Sequence, residues 1–165
     1  MCGIEDYKEV FEWVIKVAKQ GSADGETNVG EAYEYGKGVD QDYKQALFWF
    51  RKAANQGAAY VQEWMGYMYE MGQGVDQDYK QAFDWYLKAA NQGSAYGQGN
   101  VGEAYNSGLG VDQDYKQAFD WSLKAANQGD TMAEIHVGEA YTKGQGVDQD
   151  YKQALVWFRK AAKKR

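Results

Sequence analysis

The octapeptide VDQDYKQA occurs at residues 39, 75, 111 and 147, unchanged each time and spaced by 36 residues. A fixed period of that length is the mark of one supersecondary unit copied in tandem; a single copy cannot bury its apolar face and must stack on its neighbours. The 165 residues divide into a lead of 1–21 and four repeats, 22–57, 58–93, 94–129 and 130–165, which align without insertion. The lead matches the second half of a repeat. One solenoid domain is therefore expected.

Each repeat holds two helical patterns. In the second, DYKQALFWFRKAANQG, residues Tyr43, Ala46, Leu47, Phe50 and Ala54 fall on one stripe at helical spacing, widened by Trp49. Asp40 stands where an N-cap is expected, with Asp42 in the first turn at the positive end of the helix dipole, and Gly57 follows as a left-handed C-cap. The first helix is marked by Val29, Gly30, Ala32 and Tyr33, repeated as Met65, Gly66, Met68 and Tyr69, as Val101, Gly102, Ala104 and Tyr105, and as Val137, Gly138, Ala140 and Tyr141. A glycine inside a helix costs about 1 kcal/mol relative to alanine, so its return at 30, 66, 102 and 138 predicts close helix crossing. Glycine pairs such as Gly36 and Gly38 end the first helix, and with no proline in the chain glycine does all the turning. Gly97, Gly99 and Gly102 together weaken the first helix of repeat 3 by about 3 kcal/mol if their costs add, so its amides are expected to exchange faster than those of the same helix in repeat 2.

Hydrophobic content of 44% with 25% charged and 16% aromatic residues is enough for a packed core and excludes a disordered chain. There is no apolar run of membrane-spanning length, and MCGIEDYKEV has neither the charged nor the apolar region of a signal peptide, so a soluble, cytoplasmic chain is expected. A net charge of −6 argues against nucleic acid as a partner. One cysteine and one histidine are too few for a repeated metal site, and no cofactor is expected. Cys2 reads as a free exposed thiol. GQGNVG at 97–102 lacks the preceding strand that a dinucleotide loop requires, and GKGVDQD at 36–42 runs on a period four times too long for a calcium-binding nonapeptide repeat. His136 and the serines sit on no nucleophile motif, and nothing closes water away from carboxylates such as Glu31 and Glu103, so no catalytic residue is assigned.

The pattern Val29-Gly30, Tyr33, Gly36-x-Gly38-Val39, Asp42, Ala46, Trp49 and Ala53-Ala54 through Gly57 resembles the Sel-one-like repeat (SLR), a relative of the tetratricopeptide repeat, over residues 6–165. The resemblance implies an all-α fold, a right-handed α-α superhelix of antiparallel helix pairs whose first helices line a concave groove, and a role as adaptor or assembly scaffold. Gly25, Gly97 and Thr131 depart from the family pattern, where alanine is usual. Some cysteine-rich members of the family have been linked to hydrolysis of antibiotic-like substrates; this chain lacks their cysteines, so that activity does not carry over.

Because the repeats align without gaps, they can be compared with one another. Positions 24, 27, 31, 34 and 35 and their equivalents share a helical face that varies from repeat to repeat, and the resemblance makes it the groove face. It carries Asp24, Glu31, Glu34, Glu63, Glu70, Glu103 and Glu139 against the single Lys143, which points to a basic or mixed basic-apolar protein or peptide. Amphipathic or flexible anchors lie among the acids: Tyr35, Tyr60, Tyr67, Met71, Tyr96, Met132 and Ile135. Trp64 replaces the Asn28 and Asn100 of repeats 1 and 3, and makes WMGYMYEM the candidate hot spot; Met65 and Met68 read as core. By resemblance the asparagines could bond a peptide backbone, or they satisfy their own helix. The candidate binding residues are Glu31, Tyr35, Tyr60, Glu63, Trp64, Tyr67, Met71, Tyr96, Asn100, Glu103, Met132, Ile135 and Glu139. At the ends, Val10, Phe11, Val14, Ile15 and Val17 make the first helix apolar while AAKKR supplies terminal charge, which leaves a capped monomer and end-to-end association both open. A scaffold valued only for its shape, including an engineered or duplicated array, is the alternative to a binding module, and a hydrolase of the family's rarer kind is more remote.

Overall fold

A computed structural model describes residues 4–163. Among them there are nine helices and no strand: α1 (Ile4–Lys19), α2 (Ala23–Tyr35), α3 (Tyr43–Asn55), α4 (Ala59–Met71), α5 (Tyr79–Asn91), α6 (Ala95–Ser107), α7 (Tyr115–Asn127), α8 (Thr131–Lys143) and α9 (Tyr151–Ala162). The all-α reading and the helix-pair repeat hold, and α1 precedes the first pair. The thiol expected at Cys2 and the charges of Lys164 and Arg165 lie outside the described residues. The chain forms two compact units, Met1–Asp78 with α1 to α4 and Tyr79–Arg165 with α5 to α9.

The octapeptide explains the loop between the two helices of a repeat. α2 stops at Gly36, whose left-handed conformation (φ 66°) returns its N–H to the Ala32 carbonyl. The Gln41 amide then donates to the Glu34 carbonyl at 2.7 Å, and the Asp42 N–H reaches the Tyr33 carbonyl at 2.8 Å. Carbonyls left over at the end of α2 are thus satisfied by the loop that follows. The Asp42 carboxylate accepts from the N–H groups of Lys44 and Gln45 at 2.9 and 3.1 Å. Asp42, not Asp40, is therefore the N-cap: the helix begins at Tyr43, two residues later than the capping expectation placed it, and Asp40 stands exposed before the turn. Gln113 and Asp114, then Gln149 and Asp150, repeat the arrangement. At the other end of α3, Gly57 takes a positive φ of 99°, as its position suggested.

In the first unit, Ala18, Val29 and Trp49 are buried together, with Phe11, Val14, Ile15 and Tyr33 packed around them. Phe11 and Tyr33 meet edge to face at 5.5 Å. The apolar α1 thus sends Phe11, Val14 and Ile15 inward, while Val10 and Val17 face out. Trp49 is 8% exposed, whereas Trp13 at the same repeat position is 62% exposed because no helix among the described residues covers it. In the second unit Phe119, Ala125, Ala126, Ala133 and Val137 form the core, with Tyr141 and Trp157 against it. Its far face stays apolar: Phe158 is 36% exposed where its equivalent Phe50 is 2% exposed. Of the charge expected to cap that end, Lys163 is described and exposed, while Lys160 just before it turns inward to pair with buried Glu134 at 3.5 Å. A matching pair, Lys52 and Glu26 at 3.1 Å, lies in the first unit.

The helix-crossing glycines behave as their spacing predicts. A Cβ on Gly30 would lie 2.7 Å from the Phe50 ring, and one on Gly138 would lie 2.8 Å from the Phe158 ring. Gly97, which seemed only a weakness of α6, is also a contact point, since a Cβ there would meet the Ala90 backbone nitrogen at 2.8 Å. Gly99 alone of the three α6 glycines has room, with the nearest atoms at 4.0 Å. Gly99→Ala is accordingly expected to raise stability by about 0.5–1 kcal/mol, and Gly30→Ala to lower it by about 1–3 kcal/mol through overpacking. Urea unfolding midpoints of the two variants, which should move in opposite directions, provide the check.

Candidate functional site

The five varying positions do not share one open surface. Thr27 is buried and donates its hydroxyl to the Ala23 carbonyl at 2.8 Å, and Glu34 is 5% exposed. Ile135, equivalent to Thr27, lines a depression with Thr131, Phe158, Ala161 and Ala162, apart from Met132. The single groove face is thus corrected. Thr27 and Glu34 lie on the edge of α2 that is taken up by packing, and their equivalents Glu63, Ile135, Glu70 and Thr142 are half-buried, whereas offsets 24 and 35 are exposed in every repeat and offset 31 in two of the four. A helix that packs on neighbours along two sides has a narrower free arc than period alone suggests.

In the first unit, Glu31, Glu34 and Tyr35 of α2, Tyr60, Val61 and Trp64 of α4, and Phe50 of α3 line a cleft of about 180 Å³. The Trp64 indole N–H donates to the Glu34 carboxylate at 3.0 Å, and the Trp64 ring lies against Tyr67 with centroids 5.5 Å apart. Trp64 is therefore held in place between an acid and a tyrosine. Burial raises the Glu34 pKa above the ordinary carboxylate value; the hydrogen bonds from Trp64 and Tyr35 oppose this, and the charge of Glu31 adds to it. The Tyr35 hydroxyl is raised as well, first by its own burial and then by the charges of Glu34 and Glu31. Among the described residues no lysine or arginine forms an ion pair with Glu31 or Glu34, in contrast to Glu26 and Glu134.

In the second unit a cleft of about 230 Å³ is lined by Tyr96, Gly99, Asn100 and Glu103 of α6 and by Asp130, Met132, Ala133 and His136 at the start of α8. Asp130 is the α8 N-cap and is partly occupied with the Ala133 N–H at 2.8 Å. His136 Nε2 stands 3.7 Å from the Glu103 carboxylate. Asn100 gives one amide hydrogen to the Tyr96 carbonyl at 2.9 Å, so this donor satisfies its own helix.

Eight of the thirteen candidate residues thus gather in the two clefts: Glu31, Tyr35, Tyr60 and Trp64 in one, and Tyr96, Asn100, Glu103 and Met132 in the other. Glu63 and Tyr67 are half-buried outside them, and Met71 is exposed at the end of α4. Glu139 pairs within its helix with Lys143 at 3.4 Å and borders a narrow recess beside His136. Glu34 as a cleft floor and His136 as a cleft wall were not among the candidates. Their signal was a pairing across repeats, since residues 34 and 64 are 30 apart, as are 106 and 136, and each of the latter two lines the same recess. No group of three or more metal-binding side chains occurs among the described residues, and none of their helices is long and apolar enough to cross a membrane.

The sequence pattern of the Sel1 repeat matches residues 23–57, 59–94, 95–130 and 131–165. The structure is similar to that of c5321, a protective antigen present in uropathogenic Escherichia coli strains and displaying an SLR fold, with 37% identity and a TM-score of 0.91 over 96% of this chain and 34% of that one. A Sel1 repeat protein from Oxalobacter formigenes is 34% identical, with a TM-score of 0.89 over 94% of this chain and 64% of that one. This chain therefore spans about a third of the first relative and just under two thirds of the second. Cysteine-rich protein B of Helicobacter pylori, at 22% identity and a TM-score of 0.60 over 79% of this chain and 93% of that one, shares the fold. No curated protein matches the sequence significantly.

Glu34 should titrate above the usual carboxylate range when followed by carboxyl-carbon NMR. In Trp64→Phe, which removes the donor that favours the charged form, its midpoint should rise further. The folded state prefers protonated Glu34. Its unfavourable contribution is therefore absent below the ordinary carboxylate pKa and grows as pH rises through the raised value. Glu34→Gln should remove that part of the pH dependence of unfolding.

Proposed function

This chain belongs to the Sel1 repeat family, and on that premise we propose that it is a binding module holding a basic or mixed basic-apolar segment of a protein partner against the open sides of its first helices. Repeats of this family generally mediate protein–protein interactions. The observation that carries the proposal is the pair of clefts, each joining carboxylates to exposed tyrosine, with half-buried Trp64 in one and exposed Met132 in the other, at positions that vary among the repeats. Fold alone would be served by any polar residue there. Carboxylates attract and orient a cationic segment as it approaches, while the aromatic and thioether groups supply contact area once water is displaced. The reading is non-enzymatic.

The test uses the second-unit cleft. Short basic-apolar peptides should bind the intact chain, acidic counterparts should not, and Tyr96→Ala combined with Glu103→Lys should weaken binding about tenfold or more. Raising the ionic strength from about 0.05 M to about 0.5 M should also weaken it, because screening shortens the reach of the carboxylates. Binding that ignores both salt and the double substitution would refute the reading.

A further inference from the structure

We propose that the cleft between α2 and α4 is a pocket for one arginine side chain of the bound partner, with Glu34 as its buried anion and Tyr35, Tyr60 and Trp64 as its walls. This rests on the reading of the chain as a binder of basic segments and identifies where a basic residue seats.

Three features converge on arginine. The first is charge. Glu26 and Glu134 are also buried, and each is matched by a lysine of its own repeat, at 3.1 and 3.5 Å. Glu34 is 5% exposed, has the like charge of Glu31 beside it, and pairs with no cation among the described residues. A buried carboxylate whose only support is neutral hydrogen bonds is held at a cost that an incoming cation removes. The second is size. At about 180 Å³ the cleft is smaller than the roughly 300–1,000 Å³ of small-molecule sites and suits a single side chain.

The third feature is the walls. Tyr35 and Tyr60 stand more than half exposed at the mouth, and Trp64 is fixed behind them by its bond to Glu34. Flat aromatic walls around a carboxylate favour guanidinium, which is planar, weakly hydrated and able to stack, over the compact and strongly hydrated ammonium of lysine. The Tyr35 ring already accepts a cation, since Lys37 Nζ lies 5.2 Å from its centre. The equivalent positions of the second unit hold Asn106 and His136 in place of Glu34 and Trp64, so the buried anion is particular to the first cleft.

The indole N–H signal of Trp64, assigned by its loss in Trp64→Phe, reports directly on the pocket. Titration with N-acetylarginine amide should shift that signal saturably. The lysine counterpart should bind more weakly. The citrulline counterpart, which keeps the shape without the charge, should bind about tenfold more weakly or worse. Glu34→Gln should abolish the arginine response. Tyr60→Ala, a change to an exposed wall that leaves packing intact, should weaken it several-fold and carries the test if the glutamine variant fails to fold. Equal responses to arginine and citrulline, an unchanged response in both variants, or no saturable shift would overturn the pocket. If the pocket fails while basic-apolar peptides still bind and still lose affinity in the Tyr96 and Glu103 variant, the binding reading survives without it; if those peptides do not bind either, both fall.

Discussion

The fold depends on one backbone contact made anew in each repeat. After each first helix the chain turns through a second glycine at positive φ, and this glycine lies against the carbonyl of a tyrosine near the start of the preceding second helix: Gly38 on Tyr7, Gly74 on Tyr43, Gly110 on Tyr79 and Gly146 on Tyr115. A Cβ has no room there, and the left-handed conformation disfavours one in any case. The contact fixes where a loop meets the helix of the repeat before it, so the register is set by backbone and not by side chains that could slide. The crossing of Gly30 over Phe50 completes the arrangement within a repeat.

The octapeptide follows from the same constraint. Once the loop is pinned, its glutamine closes the carbonyls at the end of the first helix and its second aspartate opens the next helix. Identity across four copies thus has local causes at those two positions, and engineering or recent duplication is not required to account for them. The repeated lysine near each second-helix tryptophan, at 3.8 to 4.7 Å from the ring in Lys16, Lys52, Lys88, Lys124 and Lys160, belongs to the same pattern of local pairs one helical turn apart.

Against this uniform frame the two clefts differ because the first helices are free to vary at the few positions that packing leaves open. The first cleft puts an acid out of water with only an indole and a phenol for support. The second sets an acid beside a histidine, with methionine and tyrosine at its rim. In each cleft, apolar area is suited to adhesion and charge to selection, which is the basis of the binding role proposed above.

The period, the helix pairs, the crossing glycines and most of the exposed aromatic side chains were legible in the sequence, because each depends on local spacing and on the steric limits of a residue and its near neighbours. The cap was misplaced by two residues since Asp40 and Asp42 are equally good acceptors, and only the position where the turn ends distinguishes them. Thr27, Glu34 and Ile135 were placed on an open face because helical period gives direction around one axis and says nothing of what lies beyond it. The burial of Thr27 and Glu34, the turning of Ile135 into a separate depression, the pinning of Trp64 by Glu34 and the lack of a cation beside that acid are relations between residues on separate helices. The chain's own letters determined the repeating unit; the packing of one copy on another decided which of its acids meet water, because burial is a property of neighbours and not of any residue alone.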